Sequence, residues 1–359
     1  VRSRGLGDVY KRQGLFIMAE TKKKGLDLPQ TKGIFQVRGR VSGTSKDNFY
    51  TEKLTTTNKP WRSTSFGVEF TPGSTMYVGL NGMERETVKF CKRDEETKKT
   101  ITKDVPWKDR FNFKEEGFRL LGVNVGVEKI KDEKGNDVNN KKTLVEYDAA
   151  KEISDHLTDG KTVFVKGRIE YGSFNDSHTT KFIPNQVSLA KDIEFEADDF
   201  KQLAEFTQTI VFMSVKPNED KTKATVEAKI VNYNSIEDAE FFMEDMALAR
   251  MFSKNLKPYT GIKVWGNISV EKDITEVQTT DCWGQKNNME RVNAPTIREL
   301  IITGADPETI DTTTYSEAEM DRAIEAIKAS KEAEKDFGGT SNGWGSLQSA
   351  TEDDDNAGW

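Results

Sequence analysis

Three stretches of this 359-residue chain set aromatic rings close beside cations. "KPWRSTSF" holds Trp61, Arg62 and Phe66; "PWKDRFNFKEEGFR" holds Trp107, Lys108, Arg110, Phe111 and Phe113; "FVKGRIEYGSF" holds Lys166, Arg168 and Phe174. The mixture suits a single strand of nucleic acid. Unpaired bases stack on rings for ~1–3 kcal/mol each, while Lys and Arg track phosphates and release counterions. Taken singly, each ring is also what a β core buries and each cation what a solvated face carries. The functional reading therefore requires convergence: Trp61, Trp107, Lys166, Arg168 and Trp265 must share a groove or adjoining surfaces.

Alternation along two strand-like runs sharpens this expectation. In "VFVKGRIEYGSF", Val163, Val165 and Ile169 mark one face as core, which puts Lys166 and Arg168 together outside. In "IKVWGNISV", Ile262, Val264 and Ile268 point inward and Lys263 and Trp265 outward. An outward Trp265 beside Lys263 is either a stacking platform or a packing contact, under a helix or against another domain.

Other chemistries find little support. Cys91 and Cys282 are the only cysteines, too few for a disulfide framework or a CxxC-type site, and they suit a reducing compartment. His156 and His178 are the only histidines, which weighs against zinc and against nucleophile–base pairs; carboxylate-bound magnesium escapes that argument. "VGLNGMERE" lacks the GK[ST] of a phosphate loop, and "GVNVGVEK" has the wrong glycine interval for a dinucleotide site. No catalytic centre, metal site or cofactor site is read from the sequence. No apolar run approaches ~18 residues, so no membrane span is expected.

The elements that must position these residues follow from an internal repeat. A φ-x-V-x-G-x-[IV] pattern occurs as "FQVRGRV", "VFVKGRI" and "IKVWGNI". The last two lie in longer frames that align without a gap, with Leu157 and Leu256 each ten residues before Gly167 and Gly266. A helix-like stretch precedes each frame, "YDAAKEISDHL" and "DMALARMFSKNL", and one further strand follows. Several strands, a short helix, then two strands is the order of the five-stranded Greek-key OB barrel, and a corner glycine after the helix fits its sharp bends. The expected fold is mainly β with short α: two OB-like barrels, then a helix and a tail.

The boundaries read as a non-native leader at 1–17, resembling a translated sequencing-adaptor scar before the start at Met18; a first barrel at 32–191 with charged insertions; an acidic bridge at 192–205 with short-helix character; a second barrel at 206–306; a helix at 315–337; and a disordered Gly/Ser linker with acidic tip at 338–359. Charge is segregated along the chain. Residues 305–359 hold 14 acidic and 4 basic residues, whereas 18–304 holds 45 of each. A neutral body can still own a basic groove.

With OB-type barrels, outward aromatics beside Lys and Arg, a Gly-rich linker and the tip "TEDDDNAGW", the chain resembles phage-type single-stranded DNA-binding proteins of the replication module. The resemblance implies non-catalytic coating of single-stranded DNA, in the cytoplasm of an infected bacterial host. It implies too that the tip residues Glu352, Asp353, Asp354, Asp355 and Trp359 recruit replication or recombination proteins. Stacking and phosphate contacts serve RNA equally. The tip departs from the bacterial pattern in lacking a Pro and a final Phe. Oligomeric state is not encoded in any pattern found. Two rival readings are a phage structural or assembly protein whose barrels make protein contacts, and a nuclease.

Overall fold

The structure, a computed structural model, describes residues 26–174, 177–272 and 296–336. In chain order its elements are β1 (Gly33–Ser42), β2 (Tyr50–Leu54), β3 (Pro60–Thr71), β4 (Ser74–Met83), β5 (Thr87–Arg93), β6 (Thr100–Pro106), β7 (Arg119–Leu120), β8 (Val123–Gly126), β9 (Lys129–Lys131), β10 (Asp137–Asn139), β11 (Lys142–Leu144), α1 (Glu146–His156), β12 (Thr162–Phe174), β13 (Ser177–Leu189), β14 (Leu203–Pro217), β15 (Ala224–Val231), β16 (Ile236–Met243), α2 (Met246–Asn255), β17 (Thr260–Lys272), β18 (Thr296–Asp311) and α3 (Glu317–Asp336).

The second barrel closes strand by strand. β14 pairs with β15 and β15 with β16; β16 meets β18 in parallel at Phe242–Ile301, and β18 and β17 return antiparallel to β14. Between the third and fourth of these strands lies α2, started by the Asp245 carboxylate, which accepts from the Ala247 and Leu248 amides at 2.8 and 3.3 Å. The first barrel follows the same order with β1, β3, β4, β12 and β13, except that β13 takes its parallel partner from β8 rather than β4, and α1 falls in the equivalent place. The mainly β, two-barrel OB-like architecture with a C-terminal helix is thus the observed fold.

Gly167 and Gly266 occupy matching positions, each at a β-bulge against the following strand. An added Cβ would overlap the carbonyl oxygens of Ile183 and Ile301 respectively. The repeated glycine therefore serves close backbone approach at the bulge, which bends each barrel.

The barrels are joined through their first strands. β1 and β14 pair antiparallel over Gly33–Arg38 and Leu203–Gln208, with Phe35 opposite Phe206. Phe35 also faces Gly167, and Phe206 faces Gly266, so equivalent residues of the two barrels are direct partners. A pseudo-two-fold axis passes between them. One apolar cluster runs through both barrels, with Phe35 edge-on to Phe182 and Phe206 stacked on Phe241.

One expectation changes, and one insertion gains a structure. The acidic bridge is not a helix: residues 194–200 make two successive tight turns, with Phe195 edge-on to Phe200, and Arg40 covers Phe195 while donating to the Ile193 carbonyl. The charged insertion after β4 is ordered as a three-stranded sheet, β6–β5–β7, which buries Val88, Phe90 and Val105 against Val145 and Tyr147.

Candidate nucleic-acid interface

Four strands, β12, β1, β14 and β17, lie side by side across the junction, and their outward residues form rows. Arg168, Ile34, Thr207 and Trp265 make one row; Lys166, Gln36, Glu205 and Asn267 make the next. Three strand spacings of ~4.8 Å put Arg168 and Trp265 about 14 Å apart on one face. Lys166, Arg168, Lys263 and Trp265 are all exposed there.

Trp265 is seated by the strand beside it. Its register partner on β18 is Gly304, and a Cβ on Gly304 would stand 2.6 Å from the indole Nε1 and 2.7 and 2.8 Å from two ring carbons. The missing side chain lets the indole pack against the Gly304 backbone, with 43% of the residue still open to solvent. Thr207, on the other flank, is small. The face is not purely cationic: Arg168 Nε donates to Glu170 at 2.7 Å, and Gln36 donates to Glu205 at 2.7 Å.

A second group forms where β2, β3, α1 and the β5–β7 sheet meet. The Arg62 guanidinium lies 4.0 Å over the Tyr147 ring and is tied to Glu52 at 3.0 Å, and the Tyr50 hydroxyl donates to the same carboxylate at 2.7 Å. The bond from Arg62, then that from Tyr50, holds the Glu52 carboxyl below its ordinary value. Trp107 is edge-on to Tyr147 at 5.8 Å. Arg110 lies 4.2 Å over Trp107 and 4.3 Å over Phe111, forks onto Asp148 at 2.7 and 3.1 Å, and donates to the Trp107 carbonyl at 2.9 Å. Lys53 covers Trp61 at 5.0 Å. Phe111 is 59% exposed and Lys108 is also open.

Trp61, Trp107, Lys166, Arg168 and Trp265 therefore do not share one surface: Lys166, Arg168 and Trp265 lie on the four-strand face, Trp107 lies with Tyr147 and Arg110, and Trp61 points to the opposite side of β3 from Arg62. Trp61 lies seven residues along β3 from Val68, which pairs with Val41 of β1, a separation of about 23 Å along the strand. Phe66 is corrected to core: it is buried on the inward side of β3 with Val68 and Phe70. Phe113 is likewise a packing residue, set between Phe90 at 4.6 Å and Phe118 at 6.4 Å. Arg62 and Arg110 are committed to carboxylates, which leaves them little freedom to take a phosphate. The side chain of Phe174 and the tip residues Glu352–Asp355 and Trp359 lie outside the described residues.

Sequence reading missed Ile34, Gln36 and Thr207 on the outward face, and Tyr50 and Tyr147 in the second group. Alternation in "GIFQVRGRV" was signal enough for Ile34 and Gln36; nothing local announced that β1 would pair with β14. Among the described residues, Glu128, Glu152 and His156 have metal-ligand geometry. Lys142 already bridges the two carboxylates, at 3.2 Å from Glu128 and 2.7 Å from Glu152. Its ammonium takes the place a cation would fill.

A family model, YorF, matches residues 92–340, from within β5 to just beyond α3. The chain belongs to the YorF family. Two crystal structures of the single-stranded DNA-binding protein from Thermus aquaticus, a deletion mutant and the wild type, are similar to this YorF-family chain at 12% identity. They cover 77% of it and 94% and 93% of their own chains, with TM-scores of 0.37 and 0.36. No curated protein matches the sequence. Among the described residues of the chain, no helix is long and apolar enough to cross a membrane.

Proposed function

We propose that this YorF-family chain binds single-stranded nucleic acid, DNA by preference, on the outward face of β12, β1, β14 and β17, and does no chemistry on it. The observation that carries the reading is an exposed Trp265 packed on Gly304 in a row that ends at Arg168, with Lys263 and Lys166 alongside. A flat ring open on one side stacks any base, and flanking cations take phosphates, so recognition would be tolerant of sequence. Phe111 and Lys108 supply a secondary contact at the edge of the β5–β7 sheet.

In this reading the protein coats single strands exposed in phage replication or recombination. The tip of residues 352–359 competes for the cationic face until DNA displaces it, then recruits a replication or recombination protein. The charge segregated into the tail supports this part, since 14 acidic residues face 4 basic ones from Ala305 onward.

Titration of a fluorescent oligonucleotide tests the proposal. Single strands should bind in preference to duplex, with log affinity falling by ~0.7 per phosphate contact for each tenfold rise in salt. Absence of binding at low salt sinks the reading, and magnesium-dependent degradation of the oligonucleotide replaces it with a nuclease. Removing residues 351–359 should tighten DNA binding; unchanged low-salt affinity would rule out the self-competition.

A further inference from the structure

The pseudo-two-fold axis that passes between Phe35 and Phe206 meets a second pair of equivalent residues. On β12, Tyr171 is four residues beyond Gly167 and pairs with Thr180; on β17, Val270 is four beyond Gly266 and pairs with Arg298. Thr180 and Arg298 are thus counterparts, and they touch: Arg298 Nη1 donates to the Thr180 carbonyl at 3.1 Å. Here the fourth and fifth strands of the two barrels come together. The first barrel supplies Phe182, whose ring packs against Phe35 on one side and lies 5.3 Å under the Arg298 guanidinium.

Among the described residues, Arg298 is paired with no carboxylate. Its Nε is shut off from solvent with no hydrogen-bond partner, and Nη2 makes no hydrogen bond among the described residues. The adjacent carboxylate, Glu299, is paired with Lys223. Burial pushes the guanidinium below its usual value, and among the described residues no anion acts the other way. Arg298 is partly buried, and one carbonyl and one ring face offset only part of the cost of drawing its guanidinium away from water. An apolar side chain of similar length would satisfy the packing against Phe182 without that cost. The arrangement makes sense if the counter-ion arrives from outside, and a guanidinium fork matches a tetrahedral oxyanion.

We propose that Arg298 is an oxyanion seat at the junction of the two barrels, taking a phosphate group as its counter-ion. The source is either free phosphate or a phosphodiester of a nucleic-acid strand, and the two are distinguished by experiment. The seat does not depend on the outward face binding DNA.

Thermal melts of the full chain at constant ionic strength, with sodium phosphate replacing sodium chloride, read the seat directly. Wild type should gain about 2–5 °C once phosphate exceeds its Kd a hundredfold. Arg298→Met should melt at or above wild type in chloride and gain nothing from phosphate. Arg298→Lys, which keeps the charge but not the fork, should retain a reduced gain and guards against a fold defect in the Met variant. In parallel, an oligo-dT titration over a salt series reports the source: a salt slope smaller by ~0.7 in Arg298→Met identifies a phosphodiester contact, and an unchanged slope with the phosphate gain intact identifies free phosphate. Equal phosphate gains in wild type and Arg298→Met overturn the seat. So does a Met variant that melts below wild type in chloride while its oligonucleotide slope is unchanged, because Arg298 is then a packing residue. Wild type that fails to bind the oligonucleotide refutes the proposed function, while the phosphate melts still decide the seat.

Discussion

Trp265 depends on a residue that has no side chain. Gly304 leaves room for the indole to pack against β18, and 43% of Trp265 stays exposed. Trp265→Ala should weaken oligo-dT binding by ~1–3 kcal/mol, roughly 5- to 150-fold in Kd, with little change in melting temperature. Gly304→Val should do much the same by lifting the ring off the strand, and its indole emission should shift to the red. Unchanged affinity in both variants at low salt would remove Trp265 from the interface. At this scale the sequence was informative wherever period-two alternation was applied, as for Lys166, Arg168, Lys263 and Trp265. Phe66 went astray because it was grouped with Trp61 and Arg62 by proximity; by alternation it belongs with Val68 and Phe70, both core. Arg62 and Arg110 were read as free cations because their carboxylates, Glu52 and Asp148, come from other elements.

The β5–β7 sheet behaves as an attachment to the first barrel, and Arg110 is its fastening. From the turn after β6, Arg110 reaches Asp148 in the first turn of α1 while its guanidinium covers Trp107 and Phe111; both charged side chains are more than four-fifths buried. Breaking a charge-assisted fork of this kind leaves the partner unsatisfied, and Arg110→Ala or Asp148→Ala should each cost about 1.5–3 kcal/mol. The loss should be local: amide exchange across Thr87–Pro106 should speed up while β14–β18 keep their protection. The double mutant should cost clearly less than the sum of the singles, and strict additivity would show that the fork does not hold the sheet. This element was hidden in the sequence because its strands are short and charged on their outer side. Val88, Phe90, Val105 and Leu120 mark an inner face, and the three buried ones pack against Val145 and Tyr147 at the start of α1, forty or more positions away.

At the scale of the molecule, the two barrels share structure in a way that no local pattern encodes. Before entering the first barrel, residues 26–31 lie along the second: the Leu26 amide donates to the Tyr233 carbonyl at 3.0 Å, the Thr31 amide to the Val231 carbonyl at 2.9 Å, and the Val231 amide to Thr31 Oγ1 at 2.8 Å. Leu28 is buried with Val211, Val231, Tyr315 and Met320, so this segment and α3 together cover one end of the second barrel. Gln208, fully buried on β14, donates to the Thr31 carbonyl at 2.9 Å. On the other side, β14 is paired with β1, and the apolar cluster crosses the junction through Phe35, Phe182, Phe206 and Phe241. Cutting the chain at residue 205 would divide β14 and strip the 26–31 segment and β1 from the second barrel, and ending it at residue 311 would remove α3 as well. The full chain should therefore unfold in a single calorimetric transition, its van't Hoff and calorimetric enthalpies agreeing. A fragment of residues 206–311 should melt at a much lower temperature and bind a hydrophobic dye through the uncovered Phe206, Val211 and Val231 faces, whereas residues 203–336 supplied with a peptide of residues 26–38 should recover part of the loss. Two separate transitions in the full chain, the upper or lower one coinciding with the fragment's, would mean that the barrels are energetically independent and that the shared core adds little to either.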